Sequence, residues 1–506
     1  MRTGTRHDRA DDGGTAATVT AVTGGIVVTP HGERRADVLI TGGRVAAIGE
    51  AGSAPGQRVD ASGCYVLPGG VDPHCHLMPD VHRATVAAAR GGTTTVLSFT
   101  NPTDGEGDLD ALLRCRAEVA DGRAVVDVGL HAMLYDPEHA SADDLAAARR
   151  AGAAAIKIFL AYAELGIQCS TRRLFELMCA ARQHGLLVQV HCENGALIDA
   201  LTASALVAGR AGARVYADTR PPEVEEEAVA RVLAVAALTG AACYLVHLSS
   251  AGALDQVRLA RSRDRPAVLA EACPHHLLLD DSRYAGADAA RYLVAPPLRP
   301  AAHLRAMWQG VADGTIDTVG SDHCQARTAV PDGLVPPGQS HQFGLAGVGP
   351  RLPLLLSEGL ARGVPIGRLV QLAAANPARA FGHYPRKGAL VPGADADITV
   401  FDPAAETVLG ESGLGDGTGD SVYAGRRLSG RIRAVLLRGR AIVADGELIS
   451  GGSGRYQPAV HRPPVLHPAG GSLPGPGSPD TLPAGRLRYL SWRTGSNVSQ
   501  REGNDT

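Results

Sequence analysis

The sequence predicts an α/β fold, a (β/α)8 TIM barrel joined to a small β-sandwich built from both chain ends, and three observations predict it. Between residues 66 and 383, short β-branched runs alternate with Ala/Leu/Arg stretches of helical period, the pattern of repeated βα units around a parallel sheet. Eight such runs occur, the number that closes a barrel. Flanking them are strand-rich segments with Gly and Asp turns and no long helix, GGIVVTPHGERRADVLITGGRVAAIG near the start and ADADITVFDP with IRAVLLRGRAIVADGELI near the end.

Taken in order, residues 1–21 mix Arg and Asp around no apolar centre and read as a disordered N-terminus rather than a leader peptide. Residues 22–65 supply the first part of the sandwich. The barrel domain spans 66–383, with strands expected around YVLPGGVDPHCHL (65–77), TTTVLSF (93–99), VVDVGLHAML (125–134), AAIKIFLAY (154–162), LLVQVHCEN (186–194), CYLVHLSS (243–250), AVLAEACPHH (267–276) and IDTVGSDHC (316–324). Residues 384–455 return to the sandwich as its second part. From 456 to 506 the chain is rich in Pro, Gly and Ser, a composition that cannot bury enough apolar surface to offset chain entropy, so this stretch reads as a tail ordered at most by a partner subunit.

The composition narrows the function. With 506 residues, 45% of them hydrophobic, the chain can bury a large core. Its 49 basic residues are matched by 52 acidic ones, which leaves no electrostatic footprint for nucleic acid or an anionic membrane and favours a small neutral partner. The nine cysteines are scattered and never spaced as CxxC, against both a disulfide framework and a structural zinc knuckle. No window approaches a membrane-spanning length of uncharged apolar residues, so the expected location is cytoplasmic. Only two of the basic residues are lysines, Lys157 and Lys387.

In a barrel of this kind the chemistry is built from the C-terminal ends of the strands, and five of the eight ends carry metal-ligand residue types. His74 and His76 close the first; at i and i+2 of a strand both imidazoles face the same side, the barrel mouth. His191 ends the fifth, His247 the sixth and Asp322 the eighth. Each histidine alone has an ordinary reading as a buried structural residue, and Asp322 as a loop cap. Four histidines on one rim would repel one another as cations and leave nitrogens unpaired as neutral rings, whereas a divalent metal satisfies them all.

Lys157 is the sharpest signal. An ammonium inside the apolar run AAAIKIFLAY is costly unless compensated. A buried amine of depressed pKa can remain neutral and add carbon dioxide, giving a carbamate whose two oxygens can bridge two metals, which Arg cannot do.

The segments GGVDPHCHL, IKIFLAY, VHCEN, YLVHLSS, LVAPPLR, GSDHC and NPARAFGHYPRKGALVPGADADITVFDP resemble the dihydropyrimidinase and hydantoinase branch of the amidohydrolase superfamily, over about residues 22 to 445. The resemblance implies zinc-dependent ring opening of cyclic amides and ureides, 5,6-dihydropyrimidines or 5-substituted hydantoins, to N-carbamoyl amino acids. It implies one zinc held by His74, His76 and Asp322, a second held by His191 and His247, and carbamylated Lys157 (N6-carboxylysine) bridging both together with a hydroxide. Asp322 would also move the proton from the hydroxide to the leaving nitrogen, and Tyr162 would offer its phenol to the oxyanion. Ala295 and Phe343 fall at positions implied to bind substrate, and a homotetramer is the implied assembly.

Three departures bear on specificity. Phe343, in HQFGLAGVGPR, stands where similar enzymes have Asn, and Ala295 where Ser or Cys is usual. The stretch HLMPDVHRATVAAARGGTTT after His76 is shorter than the family pattern and lacks much of what lines the pocket for the ring substituent. A dihydroorotase or allantoinase is the alternative within the class, but HLMPDV lacks the Arg those relatives place shortly after HxH, and Arg83 lies further on. A catalytically silent scaffold is the alternative of another class; such members lose ligands, and all six positions are kept here.

Overall fold

The computed structural model describes residues 18–460 except 53–55, 79, 104, 264–266, 325–343, 411–420 and 452. Residues 1–17 of the expected disordered N-terminus, residues 461–506 of the expected tail and Phe343 therefore lie outside the described residues.

The expected barrel strands are present as Gly70–His76, Thr93–Phe99, Asp127–Met133, Ala155–Phe159, Leu187–His191, Cys243–Leu245 and Val268–Ala272, each parallel to the next, followed by two short pieces, Thr318–Val319 and His323–Cys324. The pieces are halves of the eighth run. Thr318 pairs with Glu271 of the preceding strand and His323 with Cys75 of the first, so one short segment reaches both edges of the sheet. Helices such as Val81–Arg90, Thr171–His184 and Pro222–Thr239 alternate with the strands. Strands covered in this way are buried on both faces, hence their nearly unbroken apolar character.

Alternation along the strands decides which side chains face the interior. Ile156 and Ile158, Val188 and Val190, Cys243 and Leu245 all belong to the large core shared with the helices. Their neighbours of opposite parity, Ala155, Leu187 and Tyr244, join Val71, Leu97, Leu269 and Phe381 in a separate inner cluster. A strand side chain two or four residues further along, such as Lys157, Gln189 or His191, shares the inward direction.

The run 65–77 forms two strands where one was expected. Tyr65–Pro68 pairs with Ile398–Phe401 and with Ile26–Val27, and only Gly70–His76 enters the barrel. The break falls at Gly69, where a Cβ would lie 2.1 Å from Thr94 Oγ1, so the chain changes sheets at a point of contact that excludes any side chain.

Outside the barrel, a seven-stranded sheet draws on both chain regions, with Ile26–Thr29, Gly32–Arg35 and Tyr65–Pro68 beside Ile398–Val408, Arg427–Leu437, Arg440–Ala444 and Glu447–Leu448. A four-stranded sheet contains Val19–Thr23, Asp37–Thr41, Arg44–Gly49 and Gln57–Asp60. Val19, Val22 and Val38 of the smaller sheet share a core with Val66, Ile398, Val400 and Leu436 of the larger.

Two findings tie these layers to the barrel. Lys387 is buried against Asp127 at the start of a barrel strand, Asp397 (2.7 Å) and Asp395 (3.0 Å). Residues 456–460, expected as the beginning of a free tail, are instead packed chain: the amides of Gln457 and Ala459 donate to the carbonyls of Val128 and Gly152, continuing the contact that Gly454 makes with Ala124. Backbone pairing supplies there what the composition could not. Among the described residues no helix is long and apolar enough to cross a membrane.

Candidate metal centre

His74, His76 and Asp322 converge at the mouth of the barrel, with one ligand atom from each lying within 4.8 Å of the others. His74 and His76 stand on the same side of the first strand, as the period requires. Asp322 reaches them because the eighth run is broken there: its φ is +49° and its amide donates to His74 O at 2.9 Å. The Nε2 of His74 lies 2.8 Å from Asp322 Oδ1, and that of His76 3.8 Å from the same oxygen.

His191 and His247 form the other half. Their rings meet edge to face at 4.8 Å, with His191 Nδ1 3.0 Å from His247 Nε2, and a ring distance of 5.5 Å links His247 to His74. His247 lies just beyond its strand at φ +39° and Tyr162 three residues beyond Phe159 at φ +73°. Of the five described non-glycine residues with positive φ, three are these expected site residues, the strained conformations of a site held by its surroundings.

Lys157 sits between the halves. Its Nζ lies 5.2 Å from the Phe99 ring, which also contacts His74 and His76, and 5.1 Å from the Phe159 ring, which also contacts His191 and Tyr162. It is 2% exposed and, among the described residues, forms no ion pair. Burial lowers its pKa to about 8 against the pull of Asp322 and Glu271. Burial likewise lowers His76 to about 3 and depresses His191 and His247, so all three rings are neutral and offer lone pairs. His74 differs: burial opposes its protonation, yet the charges of Glu271 and Asp322 raise it to about 9.

Two carboxylates in this site escaped the sequence reading. Glu271, wholly buried, accepts from His74 Nδ1 (2.6 Å), from the Tyr244 hydroxyl (2.6 Å) and from the His247 amide (3.0 Å). Glu193 accepts from His191 Nε2 at 2.9 Å. These bonds fix which nitrogen of each ring faces the shared site, Nε2 of His74 toward Asp322 and Nδ1 of His191 toward His247. The signal for Glu271 was the one used for Lys157, a charge inside an apolar strand, AVLAEA.

Tyr162 stacks on His191 at 5.1 Å, and burial pushes its phenol well above the usual range, so it remains a donor. Ala295 is half-buried after the turn Ala289–Tyr292, and among the described residues no hydrogen bond, ion pair or ring contact joins it to the cluster. The site thus offers neutral nitrogens, a carboxylate and an unpaired lysine around one point, a donor set suited to divalent metal.

The model of the amidohydrolase family matches residues 65–442. A D-phenylhydantoinase of Escherichia coli O1:K1 / APEC is 36% identical over 464 residues, covering 87% of this chain and 98% of the relative. A D-hydantoinase of Streptomyces coelicolor is 35% identical over 458 residues, covering 87% and 97%. Among solved structures, the dihydropyrimidinase of Brevibacillus agri NCHU1002 superposes with a TM-score of 0.81 at 33% identity, over 87% of this chain and 98% of that one.

Proposed function

Because the chain belongs to the amidohydrolase family, we propose that it is a metal-dependent cyclic amidohydrolase of the hydantoinase and dihydropyrimidinase kind, opening 5-substituted hydantoins or 5,6-dihydropyrimidines to N-carbamoyl amino acids. The observation that carries the reading is the convergence of His74, His76, Lys157, His191, His247 and Asp322 on one rim.

The donor set fits two zinc ions. His74, His76 and Asp322 would hold one, His191 and His247 the other, with Lys157 as its carbamate contributing to both. In support, His191 and His247 turn neutral nitrogens toward each other, and among the described residues Nδ1 of His247 has no hydrogen-bond partner. Among the described residues the buried Lys157 has no carboxylate within ion-pair distance, which suits a side chain that becomes an anion itself. When bound, the metals supply water activation near neutral pH and polarisation of the substrate carbonyl.

The chain's own groups do the rest. Glu271 and Glu193 orient the rings of His74 and His191. Asp322 accepts the proton of the attacking water and returns it to the ring nitrogen as the C–N bond breaks. Tyr162 donates its phenolic hydrogen to the oxyanion, a contribution of roughly 3 kcal/mol in comparable sites. Ala295 and Phe343 are assigned to substrate contacts through the family resemblance.

The two sheets with their shared core are proposed to form one β-sandwich from both chain ends. The domain limits 22–65, 66–383 and 384–455, a homotetrameric assembly and a cytoplasmic location complete the proposal. Allantoinase or dihydroorotase activity is disfavoured by the absence of Arg after HxH, and a silent scaffold by the intact ligand set.

The test is Asp322→Asn in metal-loaded protein assayed on 5-phenylhydantoin and dihydrouracil. The variant is expected to keep at least one metal and lose several orders of magnitude in kcat. Unaltered kinetics would remove Asp322 from the mechanism, and no hydrolysis of any cyclic amide by the unmodified protein would overturn the function.

A further inference from the structure

The metal centre leaves one nearby cation without a task. Arg220 is 7% exposed, just before helix Pro222–Thr239, with its guanidinium stacked 3.9 Å from the ring of Tyr216. Its Nη1 donates to Tyr216 O and Thr219 Oγ1, both at 3.3 Å, while among the described residues Nε has no hydrogen-bond partner. Among the described residues it forms no ion pair; Glu193 and Glu164 act on it only from further away. Arg299, also buried, differs in having a carboxylate: it donates to Ser249 Oγ and the Arg220 carbonyl and lies 3.8 Å from Glu225. A buried guanidinium held flat by stacking and lacking a carboxylate at contact distance is a site poised for an anion.

Arg220 lines a cavity of about 350 Å3 between helices Gly195–Val207 and Ala213–Asp218. Ile198, Ala205, Leu206 and Val215 give it apolar walls, and Tyr162 stands on the side toward the metal centre. The charges at its mouth, Arg210 against Glu164 and Asp199, leave Arg220 as the buried positive group.

We propose that this cavity binds an organic carboxylate with an apolar body, its carboxylate on Arg220 and its body against Ile198 and Leu206, apart from the ring being hydrolysed. Resting on the ring-opening reading, the natural ligand is of the product's class: water adds to the amide carbonyl, the C–N bond breaks, and the neutral ring becomes a carboxylate that ionises. Tyr162 borders both spaces, so an occupant reaches the residue that faces His191.

The experiment is calorimetric titration of metal-loaded protein with phenylacetate and with its neutral isostere phenylacetamide. Phenylacetate is expected to bind roughly tenfold more tightly or better. Arg220→Gln should erase that preference and Arg220→Lys restore part of it. Leu206→Trp, at a 48% exposed position on the mouth, should weaken both probes without touching the guanidinium. Binding should survive removal of the metal by chelator, which separates this site from carboxylate coordination at the metal centre. Equal affinity for the two probes, a preference that persists in Arg220→Gln, or binding lost with the metal overturns the proposal. Failure of the ring-opening reading would appear only in the hydrolysis assay of the same preparation.

Discussion

Lys157 and Lys387, the two lysines of the chain, are 2% and 1% exposed and are held in opposite electrostatic surroundings. Burial acts against the ammonium in both. Three carboxylates, Asp397, Asp127 and Asp395, overcome it at Lys387 and push its pKa up, whereas Lys157 has aromatic rings for neighbours and falls to about 8. One amine is held firmly charged, and the other is brought within reach of the neutral form.

Lys387→Met is therefore expected to destabilise the fold. It leaves Asp397 with the Arg438 amide as its donor, Asp395 with Arg44 and Arg386 at 3.7 Å, and Asp127 with Arg438 and the Arg455 amide, across the joint between barrel and outer sheet. Removing one partner from a buried ionic cluster costs about 3 to 5 kcal/mol. Urea denaturation of Lys387→Met should show a midpoint lowered accordingly, and an unchanged midpoint would show that the cluster contributes no net stability.

Lys157→Arg tests the other lysine. The guanidinium keeps its charge and cannot become a carbamate, so a folded, metal-poor and inactive protein is expected. Metal content by atomic emission and turnover should fall together, while Lys157→Ala should regain some activity with added short carboxylic acids. Near-normal metal content and rate in Lys157→Arg would end the carbamate assignment.

Most of the barrel was legible because two signals act at short range, the β-branched apolar runs of the strands and the helical period of the stretches between them. The same runs identified Lys157, since an ammonium stands out in an apolar segment. What was missed depended on partners distant in sequence. Glu271 resembles any strand glutamate until Tyr244 and His74 are seen around it. The split of 65–77 depends on Thr94 crowding Gly69, and the packing of 456–460 on the carbonyls of Val128 and Gly152. None of these is encoded within a local window.

Glu271→Gln should act through the metal. The amide can still accept from His74 and from the His247 backbone, but it loses the charge that strengthens both bonds. Loss of an outer partner of a ligating histidine typically weakens metal affinity or activity about 10- to 100-fold. Competition with a chromophoric chelator measures the affinity; an unchanged value would leave Glu271 a purely structural residue.

Acid should unfold the protein through buried neutral histidines. Burial lowers His131 to about 3 and His275 to about 4, below the ordinary value near 6.5. Above 6.5 both folded and unfolded chains carry these rings neutral, and their contribution to stability is intact. As the pH falls from 6.5 toward 3 to 4, only the unfolded chain takes up the protons, so stability is lost, by about 2 kcal/mol per histidine at pH 5. His131 donates from Nε2 to Pro73 O, and its ring packs on Phe99 and Phe381. His131→Phe should flatten the decline in Tm of metal-free protein between pH 6.5 and 5, and an unchanged slope would exclude His131 as a source.

The last prediction concerns the substrate. Helix Val81–Arg90 begins five positions after His76, capped by Asp80 through the Arg83 amide. The stretch of chain available there to wall the site is short, which leaves room for a ring substituent. Phe343, assigned to this neighbourhood by family resemblance, would add an apolar surface in place of an amide. Burying an aromatic substituent is worth on the order of 1 to 3 kcal/mol, enough to shift preference roughly tenfold or more toward bulky 5-substituted rings. The measurement is kcat/KM for 5-phenylhydantoin and 5-benzylhydantoin against dihydrouracil at equal metal loading and pH, with Phe343→Asn alongside. The aromatic hydantoins should win by about tenfold and Phe343→Asn should narrow the gap. A tenfold preference for dihydrouracil would mean that another part of the chain fills the space after His76, and that the short connection does not widen the pocket.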